Sequence, residues 1–592
     1  MRQVGKQRLD GGKVAARQPA ATIPGALSAG SFPAALAPWA AGIALVLLVI
    51  ASFGRIAVND FTWFDDDLTL HHNPSFNPPT LDGILGFWLH PHKGLYVPVT
   101  YTAWGALALI AYAPPADPAA IALDPAVYHL ASLAAHAATS LLVFAVLRRL
   151  FRSTLACFAG AALFAVHPVQ VETVAWATSL KEGLCGLFTM AALWLYLKAA
   201  ASGSFVGSAL SDGTKISQAT ALRAGANPHR AGLYALALLC VALAQLSNPL
   251  AVVAATMAFV LDFVVLRRPL RTALLWSAPL TALAAGGATL ARIVQPANTV
   301  AAQPIGLRLM VGADALAFYI WKLLVPIRLA VDYGRRPELL APRGWIYWTW
   351  LVPVAAAALI VASRRRWVVA GGLLFAVGVA PVLGLIPFDL QRFSTPADRY
   401  LYLSMLGPAL ILAGVLAGHR SVAVRAVTGV WIALLSVAAA VQCGVWRDDL
   451  TLWRHAVAVA PDSYLANSNL GAAWDRLGPK NLPLAIEQYR LSISKNPEFF
   501  QAHDNMAMAL ARQGRWDEAI PEMQQTLRLQ DRIKPPDLAD QAEPRFALGR
   551  LLLARKRPAE AIAYLETALQ LDPNLPGCRE ALAEARAEAK SR

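Results

Sequence analysis

Ala35–Gly54 reads ALAPWAAGIALVLLVIASFG, without a charged residue. At about 1.5 Å per residue, a run of about 20 residues is what a helix needs to cross about 30 Å of hydrocarbon. It is the first of many such runs. Hydrophobic residues make up 57% of the 592 and charged residues only 15%, which excludes a soluble globule of this size and predicts an all-α, multi-spanning membrane protein. Before the run stand Arg2, Lys6, Arg8, Lys13 and Arg17. This basic leader, 1–33, fits the disordered cytoplasmic flank of an uncleaved anchor better than a signal peptide, whose apolar core is shorter and ends at a small-residue cleavage site. The net charge of +15 would suit nucleic acid, but the cations cluster between apolar runs. Positive-inside topology accounts for them, so a lipid bilayer and no nucleic acid is the expected partner. The five cysteines, Cys157, Cys185, Cys240, Cys443 and Cys578, show no paired spacing. Neither a disulfide framework nor a zinc site follows.

The basic clusters also predict topology, because segments that carry them should share the cytoplasmic side. They are the leader, Arg148/Arg149/Arg152, the stretch Lys198 to Arg230, Arg267/Arg268/Arg271, Arg364/Arg365/Arg366 and His419/Arg420/Arg425. An even number of crossings must separate neighbours. Parity holds if the runs near 96–112 and 306–326 lie along the outer interface instead of crossing. About eleven crossings then fill a membrane domain over 34–445. Its first outer loop is 58–126, and the last span, near 424–443, leaves the tail outside.

The tail, 446–592, repeats itself. NLGAAWDRLG, NMAMALARQG and ALGRLLLARK place Gly471, Ala507 and Gly549 at one equivalent position. A second helix in each unit opens on Ala485-Ile486, Ala519-Ile520 and Ala561-Ile562, and two units close on Asn496-Pro497 and Asp572-Pro573. Small residues are needed where two antiparallel helices approach closely. This is a tetratricopeptide (TPR) solenoid, with units near 463–499, 500–530 and 542–575 and a capping helix over 576–590. DRIKPPDLADQ is an insertion between the last two units. Such arrays bind peptides or protein surfaces in their concave face.

The polar residues predicted on the outer face form three groups. NDFTWFDDDLTLHHNPSFN carries Asp65, Asp66, Asp67, His71 and His72, with His90, His92, Lys93 and Tyr96 further along the loop. HPVQVETVAWATSLKE carries His167, Glu172, Trp176, Lys181 and Glu182. PFDLQRFSTPADRYLYL carries Asp389, Arg392, Asp398, Arg399 and Tyr400. Ionisable residues at this depth are costly unless they line a cavity. Each also has a structural explanation: Asp398-Arg399 as an ion pair at a helix start, His167-Pro168 as a helix end, Lys181 as a side chain reaching the interface.

FDDD, HPVQVETVAW followed by LKE, ADRYLYL, and a TPR tail after WRDDLTLW together resemble the transmembrane and TPR-containing O-mannosyltransferases and their bacterial relatives among the GT-C glycosyltransferases. The likeness runs from about residue 35 to the tail. It departs at Gln170, where relatives often carry histidine, and at the LSNP of Leu246 to Pro249, where many carry a basic residue. The resemblance implies an inverting enzyme of a bacterial plasma membrane. The enzyme would move a hexose such as mannose from a polyprenyl-phosphate donor to a protein hydroxyl, with an acid of the first outer loop at the centre. In such a reaction a carboxylate takes the acceptor proton while phosphate leaves. Asp66 is the favoured base, with Asp65 and Asp67 orienting it or holding a metal. Arg399, Lys181 and Arg392 would bind the donor phosphate, supported by His167, Glu172, Asp398 and Tyr400. No cofactor is assigned beyond a divalent metal, for which Asp65, Asp67, His71 and His72 are the candidate ligands. Two other readings compete: an inactive relative or TPR scaffold assembling an envelope complex, and, less well matched, a transporter.

Overall fold

The computed structural model describes residues 37–114, 121–201, 228–294, 303–419, 421–532 and 538–591. The basic leader, most of the Lys198 to Arg230 cluster, Arg420 and part of the DRIKPPDLADQ insertion fall outside them. Every named element among the described residues is helical. The apolar runs become helices whose ends are set by local signals. Asp124 accepts from the Ala126 N–H at the start of Pro125–Leu150, Ser153 from the Ala156 N–H at the start of Thr154–Val166, and Arg148 and Arg149 close the former at its negative dipole end.

Among the described residues, five helical stretches are long and apolar enough to cross a membrane: Pro38–Val58, Pro125–Leu150, Ala177–Ala200, Leu270–Val294 and Val422–Trp446. A sixth counts if Thr154–Val166 and Pro168–Ala175, bent by 49°, are one span. The eleven crossings expected from parity therefore exceed what length and composition support. Pro98–Ala111, Pro249–Val265, Ile346–Ala362, Arg366–Val382 and Leu406–Gly418 are apolar but shorter. The bend has a clear cause: Pro168 follows His167, whose extended backbone (φ −66°, ψ 131°) ends the first helix. Beyond it the chain turns inward, and residues 161–180 are buried without a break. Helices Arg366–Val379 and Leu406–Gly418 cross at Gly371 and Gly407, where a Cβ on either would collide with the other's carbonyl.

The tail stacks Tyr464–Arg476 on Leu482–Lys495, Phe500–Arg512 on Trp516–Gln530 and Leu538–Ala554 on Pro558–Leu571, and ends with Cys578–Lys590. The small residues do what their spacing predicts. A Cβ on Gly471 would lie 2.6 Å from the Tyr489 ring, and one on Gly549 2.6 Å from Leu565. Ahead of the repeats, Asp449–Val459 packs the tail onto the apolar helices. Its Trp453 is fully buried in the same core as Leu45, Phe164 and Trp176.

Candidate active site

The loop after the first apolar helix is held from two sides. The Phe64 ring stacks on Trp176 (centroids 5.2 Å, 17°) and meets Trp453 of the tail edge-on at 5.2 Å. The Trp176 indole N–H donates to the Phe64 carbonyl at 3.0 Å. One residue earlier, the Trp63 N–H donates to Asp449 Oδ1 at 2.9 Å. Arg476 pairs with the other Asp449 oxygen at 2.6 Å and lays its guanidinium 4.8 Å over the Trp63 ring. Asp449 keeps a raised carboxyl pKa because burial outweighs Arg476.

Held this way, the three acids separate. Asp66 is fully buried. Its Oδ2 accepts from the Thr62 N–H and hydroxyl, each at 3.0 Å, and its Oδ1 accepts from the Thr178 N–H at 3.0 Å. Burial pushes this carboxyl up to about 7 against those donors. Asp66, expected as the base, is therefore engaged by three donors. The loop turns inside the protein, its buried N–H groups need acceptors, and Asp66 supplies them and ties the loop to the 177–179 turn. Asp65 is exposed, at φ 68° in the left-handed region, with its carbonyl accepting from the Thr69 N–H at 2.9 Å. Aspartate tolerates that conformation better than most residues. Asp67 opens the turn Asp67–His71 and is half-buried, its pKa raised by burial.

The second and third groups meet around the same indole. Arg399 pairs with Glu172, its own N–H donates to Glu172 Oε2 at 3.1 Å, and its guanidinium faces Trp176 at 5.5 Å and Tyr400 at 4.8 Å. The Asp398-Arg399 ion pair is thus replaced. Arg399 takes Glu172, while Asp398 accepts from the Tyr333 hydroxyl at 2.8 and 2.9 Å. Lys181 is half-buried, 5.7 Å over the Trp176 ring. Glu182, buried next to it, accepts from Asn248 at 3.2 Å. His167 is fully buried against the Leu323 carbonyl at 3.0 Å and accepts from the Val169 N–H at 3.4 Å, which is the helix-end role.

Two expectations do not assemble. Arg392 is exposed, pairs with Asp389 at 3.2 Å and stacks on Phe393 at 4.8 Å, and its carbonyl accepts from Tyr464 at 2.7 Å. It belongs to the contact with the tail. Asp65, Asp67, His71 and His72 do not gather as a ligand set, and among the described residues no group of three or more His, Cys, Asp or Glu could hold a metal. His71 is buried among Phe61, Trp63 and His72, which drives its imidazole down to about 4.

Several neighbours had no role assigned from the sequence. Lys322 donates to the Ile327 and Arg328 carbonyls at 2.8 and 2.9 Å and faces the Tyr333 ring at 5.0 Å. Asp332, fully buried and pushed up to about 6, accepts from Ser463 at the start of the first TPR helix. The signals were VDYGRR and WRDDLTLW, both visible but silent about which surface they would face.

A tetratricopeptide repeat family model matches residues 498–574. No curated protein matches the chain. Among solved structures, MamA aligns at 15% identity over 24% of this chain and 72% of its own, with a TM-score of 0.21. PilF of Pseudomonas aeruginosa aligns at 24% identity over 25% of this chain and 61% of its own, also at 0.21.

Proposed function

We propose that the chain is a membrane glycosyltransferase of the GT-C type, moving a hexose from a polyprenyl-phosphate donor to a hydroxyl of a protein held by the tail. One observation carries this reading: the FDDD loop, Lys181 and the Glu172–Arg399 pair converge on one indole, Trp176. A framework has no need to gather a lysine and an arginine on the indole that also anchors the acid-bearing loop through Phe64. Within the triplet, Asp65 is the base, since it alone is exposed and free to accept a proton, and its left-handed backbone is the kind of outlier that accompanies functional sites. Lys181 and the outer edge of Arg399 face the leaving phosphate, as charge-assisted donors should. The site lies outside a bacterial plasma membrane, with a cytoplasmic N-terminus and an extracytoplasmic tail. The test is transfer of radiolabelled mannose from polyprenyl-phosphate-mannose to protein in membranes carrying the wild-type chain or Asp65→Asn. Undiminished transfer in the variant would refute the assignment.

The scaffold reading draws on a different observation. Asp66 and the Glu172–Arg399 pair are fully engaged with other groups, as a framework would leave them. Glycopeptide comparison of envelope proteins with and without the chain separates the two, because a scaffold removes a complex but no hexose.

A further inference from the structure

Away from the membrane domain, the tail's helices enclose a groove of about 910 Å³. It is lined by Phe500, Trp516 and Phe546 and by two carboxylates, the half-buried Asp504 of Phe500–Arg512 and the exposed Glu543 of Leu538–Ala554. Burial, together with the neighbouring Glu543 charge, pushes Asp504 up to about 6. Several other acids of the solenoid are paired: Asp475 with Arg512, Asp531 with Arg545, Asp517 with Arg555 and Glu566 with Arg586. The groove's own cations do not serve these two. Arg512 is held by Asp475, and Arg550 lies 5.9 Å over Phe546. Asp504 thus carries the repulsion of the Glu543 charge without a compensating ion pair, and such a cost is typical of a binding site awaiting its ligand.

We infer that this groove binds an extended segment of a partner protein in which a lysine or arginine stands between apolar residues. The cation lies between Asp504 and Glu543, and the apolar flanks lie on Phe500, Trp516 and Phe546. Carboxylates give the charge-assisted bonds, ring faces add cation–π attraction, and the aromatic walls recognise the flanks. The inference rests on the tail's role in holding a protein, not on sugar transfer.

The experiment uses the full chain in nanodiscs and a fluorescein-labelled peptide, Gly-Leu-Lys-Phe-Lys-Leu-Gly, read by anisotropy. Wild type should bind it at least about tenfold more tightly than the same peptide with norleucine for lysine, with glutamate for lysine weaker still. Asp504→Asn combined with Glu543→Gln should abolish that preference and leave norleucine-peptide affinity within about twofold. Removing the repulsion should leave the melting temperature at or above wild type, which checks the fold. Should the double variant unfold, the three peptides on wild type still decide. Equal affinity for lysine and norleucine peptides, or a preference that survives in a folded variant, would overturn the inference. Loss of transfer in Asp65→Asn with lysine preference intact separates this site's fate from that of the glycosyltransferase reading.

Discussion

Replacing Asp66 and Asp65 in turn should give opposite results. In Asp66→Ala, the buried N–H groups of Thr62 and Thr178 lose their acceptor. At pH 6, below the value of about 7 where this carboxyl titrates, the group is mostly neutral and no charge contribution enters. Two orphaned buried donors at about 1–3 kcal/mol each give about 2–6 kcal/mol. Asp66→Asn retains one oxygen but turns an NH₂ toward a donor, so about 1–3 kcal/mol is expected. Asp65 is exposed, so Asp65→Asn should change stability by less than about 0.5 kcal/mol. The assay is thermal unfolding of the purified chain, with proteolysis of the first loop at 58–126 and sugar transfer measured on the same samples. Asp66→Ala should melt lower, expose the loop and lose transfer. Asp65→Asn should lose transfer alone. The reasoning fails if Asp66→Ala melts and resists protease like wild type, or if Asp65→Asn is the destabilised variant.

Other predictions follow from the same contacts. Glu172→Gln leaves the Arg399 charge buried without its partner and should destabilise by about 3–5 kcal/mol, whereas Glu172→Leu with Arg399→Met should recover much of that in thermal unfolding. Asp504 has a folded pKa of about 6, above its ordinary 3.8. A carboxyl raised in this way favours folding most below about pH 4, and that advantage is lost as pH climbs through 6. Between pH 7 and pH 5 the tail should therefore gain about 1 kcal/mol, read as the urea midpoint for proteolysis of the tail, and Asp504→Asn should flatten the change. Arg476→Ala removes the guanidinium from Asp449 and Trp63. It should raise protease access to the first loop without unfolding the repeats, measured by cleavage-site mapping.

The repeats were legible because their signal is local. Gly471 and Gly549 stand where a Cβ would strike the facing helix, and the buried Ala485-Ile486 and Ala519-Ile520 mark where the second helices pack. The positions of the apolar helices were legible for the same reason. The number of crossings was not, because the break at His167-Pro168 divides one apolar run and several other apolar helices are too short to be judged by length. Within the site, composition could place Asp65, Asp66 and Asp67 in one loop but could not tell them apart. That distinction comes from Thr178, distant in sequence, whose N–H claims Asp66. Likewise Arg399 stands beside Asp398 in sequence but reaches Glu172 in space.

The tail is coupled to the acid loop more directly than a tethered module would be. Phe64 lies between Trp176 of the apolar helices and Trp453 of the tail, and the Trp63 N–H reaches Asp449. Asp65 follows immediately, so its backbone direction is fixed by groups from both domains. In the proposed transfer, a segment docked along the repeats and a base at the membrane would share one rigid reference, so that binding at a distance would position a hydroxyl for reaction. The same arrangement makes the first loop depend on the tail. Any change that loosens Asp449, Arg476 or Trp453 should misplace Asp65 before it unfolds either domain.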